Sequence, residues 1–156
     1  MSAVEDRLAE LGLSVPEVVP PVAAYVPAVR QGNLVFTSGQ LPMAGGSMAA
    51  TGKVGEGAGL VAPDVAKELA QACALNAIAA VKALIGDLDQ VARVVKVVGF
   101  VASHPDFTGQ PGVVNGASEL LGKAFGEAGV HARSAVGVAA LPLDAPVEVE
   151  IIVALD

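Results

Sequence analysis

Cysteine, histidine and aromatic residues are scarce in this chain, which has one Cys, two His, one Tyr, four Phe and no Trp in 156 residues. A single cysteine, Cys73, excludes an intramolecular disulfide and is typical of a protein from a reducing cytoplasm. One Cys and two His also supply too few ligands for a zinc site, and no motif predicts a cofactor. With aromatic residues at 3 %, the core must be filled by Val, Leu, Ile and Ala.

Basic residues and long apolar runs are scarce as well. Nine Lys and Arg against 16 Asp and Glu give a net charge of −7, and no basic cluster predicts a nucleic-acid surface. No run reaches the roughly 18 apolar residues of a membrane span, and the charged residues 5–10 are unlike a signal peptide. Hydrophobic residues still make up 53 % of the chain. This surplus predicts a sizeable core and apolar surface buried between subunits.

Length and composition predict one domain over residues 1–156, in two parts. Residues 1–21 form an N-terminal extension, with an amphipathic helix followed by a connector that Pro16, Pro20 and Pro21 keep extended. This extension is either a surface strap or a lid over a pocket. Residues 22–156 form the core.

The core pattern predicts an α+β fold, with a mixed sheet of about six strands and two helices on one face. We expect the last two strands to pair as a hairpin, because a turn signal around Asp144 separates them. The predicted elements are a hairpin over residues 25–30 and 33–40, a helix over 63–85, a strand over 91–102, a helix over 113–128 and two strands within 130–155.

Residues 43–59 are rich in glycine. The Walker pattern of a phosphate-binding loop ends in G-K-[ST], whereas Gly52 and Lys53 are followed by Val54. The segment therefore favours a mobile loop at the rim of a pocket over a nucleotide site.

Two patterns near the C-terminus single out Arg133 and Glu148. In the last strand, Glu148 and Glu150 share one face, and the Val, Ile and Leu residues share the other. A guanidinium followed by small side chains lets a ligand or another surface approach closely, and a half-exposed strand with a solvated arginine is the alternative. The small residues on the predicted face of Arg133 are Ala135, Gly137 and Ala139.

Two motifs resemble the Rid (YjgF-type) imine and enamine deaminase family, which is also described as endoribonuclease L-PSP-like. One is A-R-S-x-V-x-V-x-x-L-P from Ala132, followed by V-E-V-E from Val147. The other is G-N-L-V-F-T-S-G-Q-L-P from Gly32, preceded by Y-V. The resemblance covers Ala23 to the C-terminus and implies a chorismate-mutase-like fold that forms a homotrimer with clefts between subunits. The N-terminal extension and the glycine-rich loop resemble a longer branch of this family.

The resemblance also implies a reaction, the hydrolysis of 2-imino or enamine acids such as 2-iminobutanoate and 2-iminopropanoate to 2-keto acids and ammonia. Arg133 matches the arginine that binds the substrate carboxylate, and Glu148 matches the carboxylate that orients the attacking water. The positions that match the substrate-binding wall are Tyr25, Ser38, Gly39 and Asn115.

Three positions depart from the family pattern. Ala135 stands where many relatives carry cysteine, and Ser118 stands where a helix aromatic is common. His131 replaces a proline and, on a regular strand, shares the face of Arg133. It is either a substrate-binding residue or a surface residue at the strand entry. These departures leave the identity of the substrate open.

Two functions remain open, an enzyme and a non-catalytic module that binds small carboxylates or metabolites at the same clefts. Arg133 suits both, and Glu148 favours the enzyme. If the last two strands pair tightly around Asp144, Arg133 lies roughly 20 Å along the ladder from the position facing Glu148. One small substrate then contacts both residues only across a subunit interface, unless the strands pair differently.

Overall fold

The structure, a computed structural model, describes residues 1–21 and 23–156, so the domain boundary predicted at Val22 falls on a residue outside this description. Its three helices are α1 (Ala3–Glu10), α2 (Pro63–Ile85) and α3 (Gln110–Phe125). Its strands are β1 (Ala28–Gln31), β2 (Leu34–Thr37), β3 (Met43–Ala44), β4 (Ser47–Met48), β5 (Val91–Ala102), β6 (Ala132–Val138) and β7 (Val147–Leu155).

Five of these strands form one mixed sheet in the spatial order β1-β2-β7-β5-β6, and β3 and β4 form a separate ribbon. Helices α2 and α3 pack on one face of the sheet, as the alternation in β7 shows. Val147, Val149 and Ile151 are buried, whereas Glu148 and Glu150 are half-buried on the opposite face. The predicted α+β class is confirmed, and we call the face without helices the open face.

Helix α2 matches its predicted bounds to the residue, because both of its ends are encoded locally. Pro63 suits the first helical turn, and Gly86 ends the helix with a φ of 85° that side chains disfavour. By length and composition α2 could cross a membrane, but 56 % of its most apolar window is buried inside the protein. It is the central core helix, and Ala66, Ala70 and Cys73 lie on its buried side.

The expected C-terminal hairpin is wrong, because β5 lies between β6 and β7. β6 pairs with β5 in parallel, and β7 pairs with the other edge of β5 in an antiparallel ladder. The sequence of β5, VARVVKVVGFVA, is the nearly continuous apolar run of a strand that is paired on both edges. The connection between β6 and β7 turns through Leu143 and Asp144, with φ values of 57° and 58°, and is long enough to pass over β5.

The glycine-rich segment contains a two-stranded ribbon and a stretch that is hydrogen-bonded to the sheet. Gly45 and Gly46, both with positive φ, connect the two strands of the ribbon. Val54 is fully buried, and its N–H donates to Ala102 O at the end of β5. His104 N donates in turn to Val54 O. These bonds fasten the segment to the end of the sheet.

Helix α1 is docked against the core, as a surface strap would be. Ser2 caps it, with its hydroxyl accepting from Glu5 N while Glu5 reaches back to the Ser2 N–H. Glu5 also pairs with Lys82 of α2, which lowers the pKa of the Glu5 carboxyl to about 2. Arg7 donates to Ala124 O of α3 at 3.2 Å, and Leu8 is fully buried. The helix therefore covers the outer side of the two core helices.

Cys73 should be inert toward thiol reagents in the native protein. Its side chain is fully buried beneath β7, and burial, helped by the charge of Glu148, raises the pKa of the thiol well above its usual range. We expect slow alkylation in native buffer, rapid alkylation in urea, and unchanged activity for Cys73→Ala. Rapid native labelling that abolishes activity would contradict a purely structural role.

Candidate functional site

Arg133 lies on the helix-facing side of β6, the edge strand of the sheet. Its partner in the ladder is Val97, which is fully buried under the helices. The guanidinium Nη1 donates to Asn115 Oδ1 at 2.7 Å and to Ser118 Oγ at 3.3 Å, and Nη2 donates to Pro111 O at 3.3 Å. Three groups of α3 therefore hold the arginine side chain.

These contacts leave a specific part of the guanidinium free. An arginine carries five N–H donors, and three of those of Arg133 are used by α3. Among the described residues, the Nε–H and one N–H of Nη2 have no partner. Nε and Nη2 share one edge of the guanidinium, and such an edge can bind the two oxygens of a carboxylate.

His131 lies beside this arginine, at the entry to β6. Its Nε2 is 2.8 Å from Ser118 Oγ, and its Nδ1 is 2.6 Å from Gly129 O. The sequence left open whether this histidine is a surface residue or part of a pocket wall. In the structure it contacts Ser118, which in turn accepts from Arg133.

Two of the small residues that follow Arg133, Ala135 and Gly137, lie on the side of α3 and not on the open face. A Cβ at Gly137 would lie 2.7 Å from Nε2 of Gln110, in the first turn of α3. Ala135 packs against the core, and Ala139 lies beyond the end of β6. At Ala135 and Gly137 the surface that approaches the small side chains is therefore α3 of the same chain, and not a ligand or a second subunit.

Glu148 belongs to a second group, on the open face. It is half-buried beside Phe100, its partner in β5. Burial raises the pKa of the Glu148 carboxyl above its ordinary value, and the charge of Glu150 raises it further. Gly39 lies directly against this carboxylate, since a Cβ at Gly39 would overlap Glu148 Oε1. The motif that begins at Gly32 therefore has a glycine at position 39, where any side chain would collide with the Glu148 carboxylate.

Ser38 and Tyr25 lie next to this second group. Ser38 Oγ donates to Val26 O at 2.6 Å, which fastens the segment after Tyr25 to the end of β2. Tyr25 is 46 % exposed and lines a small cavity with Gln40 and with Pro20 of the N-terminal extension. The extension therefore reaches one candidate site residue.

The structure divides the predicted site residues between two faces of one sheet. Arg133, Asn115 and His131 meet on the helix-facing side, whereas Glu148 and Gly39 meet on the open face. Arg133 and Glu148 are two strands and three ladder positions apart, which puts their Cα atoms roughly 14 Å from each other. Within one chain they do not face a common substrate.

Ser118 is the site residue that the sequence reasoning missed, since it was noted only as a departure. It lies three positions after Asn115 on α3, and this spacing places both side chains on one helix face. The spacing was a usable signal once Asn115 had been singled out. In residues 1–21 and 23–156, no group of three or more His, Cys, Asp or Glu side chains is arranged to hold a metal ion.

Comparison with known proteins gives consistent matches over nearly the whole chain. The family described as Endoribonuclease L-PSP matches residues 16–155. Protein TCP17 of Trypanosoma cruzi is 45 % identical over 153 residues, covering 96 % of this chain and 92 % of its own.

Two solved structures show the same fold. The crystal structure of Atu1372 from Agrobacterium tumefaciens is 47 % identical, with a TM-score of 0.89 over 99 % of this chain and 93 % of its own. Escherichia coli TdcF, solved with bound serine, is 25 % identical, with a TM-score of 0.63 over 91 % of this chain and 94 % of its own. The match to Atu1372 includes the N-terminal extension.

Proposed function

Because the chain belongs to the Endoribonuclease L-PSP family, the family of the YjgF and Rid proteins, we propose that it hydrolyses small 2-imino or enamine acids. The products are a 2-keto acid and ammonia. The observation that carries this proposal is the set of contacts of Arg133. Three N–H donors bond to α3, and the other two have no partner among the described residues. A 2-imino acid has the carboxylate that such a fork binds.

Each side chain has a definite task in this reaction. Arg133 binds the substrate carboxylate and fixes the position of the C=N carbon. Glu148 accepts a hydrogen bond from a water molecule, which adds to that carbon while its proton passes through Glu148 to the nitrogen. The hydroxyl proton of the tetrahedral carbinolamine then passes through Glu148 to the amino nitrogen, and the C–N bond breaks to give the C=O bond and ammonia. A carboxyl whose pKa is raised by burial accepts a proton more readily than an ordinary glutamate.

The proposed site requires a second subunit, because Arg133 and Glu148 lie on opposite faces of the sheet. We infer a homotrimer in which the open faces pack together and the β6 edge of one subunit approaches Glu148 of its neighbour. The open face has an apolar surface to bury, including Phe36 and Val136, which are 36 % and 43 % exposed. Sedimentation at micromolar concentration tests this assembly, and a monomer would exclude a shared site.

The alternative is a module that binds a small carboxylate without converting it. Arg133 would serve binding equally well, and TdcF was solved with an amino acid bound. An amino-acid oxidase that generates imines in the presence of semicarbazide separates the two functions. A deaminase suppresses semicarbazone formation, whereas a binding module leaves it unchanged but binds 2-oxobutanoate in calorimetry. If the protein shows neither effect with any imino acid, both functions are excluded.

A ribonuclease is disfavoured by the net charge of −7.

The pH dependence of turnover should follow Glu148. Its raised pKa means that acidification protonates it, and stops water activation, at a higher pH than for an ordinary glutamate. Glu150→Gln removes the second cause of that shift, so the acid limb of kcat should move to lower pH while staying above the ordinary range. The limb should not move for Glu10→Gln, an exposed substitution in α1. If the acid limb of kcat does not move in Glu150→Gln, the titration of Glu148 does not produce that limb.

A further inference from the structure

We propose that Ser118 and His131 are positioning residues for Arg133, joined to it by a hydrogen-bond chain with a fixed direction. The proposal rests on the carboxylate-binding role of Arg133 given above. The chain runs from Arg133 Nη1 to Ser118 Oγ at 3.3 Å, then to His131 Nε2 at 2.8 Å. It ends at Gly129 O, which is 2.6 Å from His131 Nδ1.

The direction follows from the chemistry of the two ends. Gly129 O is a carbonyl and accepts only, so His131 Nδ1 carries a proton. In the neutral imidazole Nε2 is then an acceptor, and the Ser118 hydroxyl donates to it. This leaves the Ser118 oxygen free to accept from the guanidinium, which donates only. Every polar atom of the chain thus has a partner of the correct type.

The same chain determines how the guanidinium is oriented. Asn115 Oδ1 and Ser118 Oγ both accept from Nη1, and both belong to one face of α3. Together with Pro111 O on Nη2, these two acceptors on Nη1 fix the plane of the planar group. Without Ser118, each of the two terminal nitrogens keeps one acceptor, and the group is held less firmly. His131 prevents the Ser118 hydroxyl from turning toward the helix backbone, a common alternative for serine within a helix. The free Nε and Nη2 donors are therefore oriented before a ligand arrives.

Two pairs of variants separate this role from simple packing. Ser118→Ala removes the acceptor, and Ser118→Thr retains a hydroxyl. His131→Gln places an amide oxygen where the imidazole Nε2 accepts from Ser118. His131→Asn has a shorter side chain, which can still donate to Gly129 O but cannot reach Ser118. We expect Ser118→Ala and His131→Asn to raise KM, and the dissociation constant for 2-oxobutanoate, roughly 10-fold with kcat nearly unchanged. Ser118→Thr and His131→Gln should stay near wild type, as should the control His104→Gln.

Nuclear magnetic resonance gives a readout that does not depend on activity. The chain has two histidines, so His104→Gln leaves His131 as the only imidazole signal. We expect nitrogen-15 shifts of the Nδ1–H tautomer for His131. We also expect slow rotation of the Arg133 guanidinium in wild type and faster rotation in Ser118→Ala. The Nε2–H tautomer, or guanidinium rotation unaffected by Ser118→Ala, would overturn the proposal.

The outcomes distinguish this proposal from the proposed function. If wild type and Arg133→Ala are equally inactive and bind no carboxylate, the proposed function fails, and the resonance data alone decide the orientation of Arg133. If Arg133→Ala loses activity while Ser118→Ala and His131→Asn match wild type in KM and binding, the deaminase stands and the positioning role fails. A parallel fall in kcat and thermal stability in both variants would also overturn it, because that pattern indicates packing.

Discussion

Arg133→Lys should bind 2-oxobutanoate and 2-imino acids roughly 10- to 150-fold more weakly than wild type, equivalent to about 1.5–3 kcal/mol. Lysine keeps the positive charge but loses the planar fork, so it cannot contact both carboxylate oxygens and its partners on α3 together. Arg133→Ala should bind more weakly still. Calorimetry measures the binding of 2-oxobutanoate to both variants, and the coupled oxidase assay measures their action on 2-imino acids.

The structure provides a matched control for both substitutions. Arg93 is an exposed arginine in β5, and Arg93→Lys should leave binding unchanged. Far-ultraviolet circular dichroism should show that Arg133→Ala is folded, because a half-buried arginine at a sheet edge contributes little to the core. If Arg133→Ala and wild type hydrolyse every imino acid equally, Arg133 is not the substrate anchor.

By contrast, Glu148→Gln should lower turnover more than binding, because a water-positioning residue acts mainly in the transition state.

Gly116→Ala should be the most destabilising single methyl addition in the helical layer. Gly116 lies where α3 crosses α2, and a Cβ there would overlap the backbone oxygen of Lys67. A backbone atom of a packed helix cannot rotate away as a side chain can, so the two helices must separate. We expect a loss of about 1–3 kcal/mol or more in the free energy of unfolding, measured by urea titration.

The same helix supplies the control for this prediction. Apart from its own stretch of helix backbone, Gly122 has no atom within 4 Å of the position where a Cβ would lie. Gly122→Ala should therefore raise stability by roughly 0.5–1 kcal/mol, because alanine favours the helix over glycine. Opposite signs for the two substitutions would show that the cost at position 116 arises from contact between the helices. Equal effects would contradict the close crossing at Gly116.

The elements that the sequence predicted best are those whose ends are encoded locally. The bounds of α2 and β5 were predicted to the residue, since Pro63 marks the start of the helix and an unbroken apolar run marks the strand. The family motifs also led to Arg133, Asn115 and Glu148. Whether these residues bind and convert a substrate stays a prediction.

The pairing of the C-terminal strands was not encoded in the same local way. A turn signal around Asp144 indicates that the chain reverses, but not that a third strand lies between the two arms. That third strand decides which face Arg133 occupies, because its partner there is the buried Val97. Contact between Ser118 and His131, 13 positions apart, likewise depends on how α3 packs beside β6.

The single tyrosine of this tryptophan-free chain has an optical consequence. Absorbance at the usual protein wavelength and intrinsic emission both come from Tyr25, which lines the cavity beneath the N-terminal extension. A change in emission on adding a ligand therefore reports on the surroundings of one candidate site residue, without a label. For the same reason, a step in that signal beyond the gradual thermal decline of free tyrosine reports a change around Tyr25 and the extension, while the aliphatic core is silent at this wavelength.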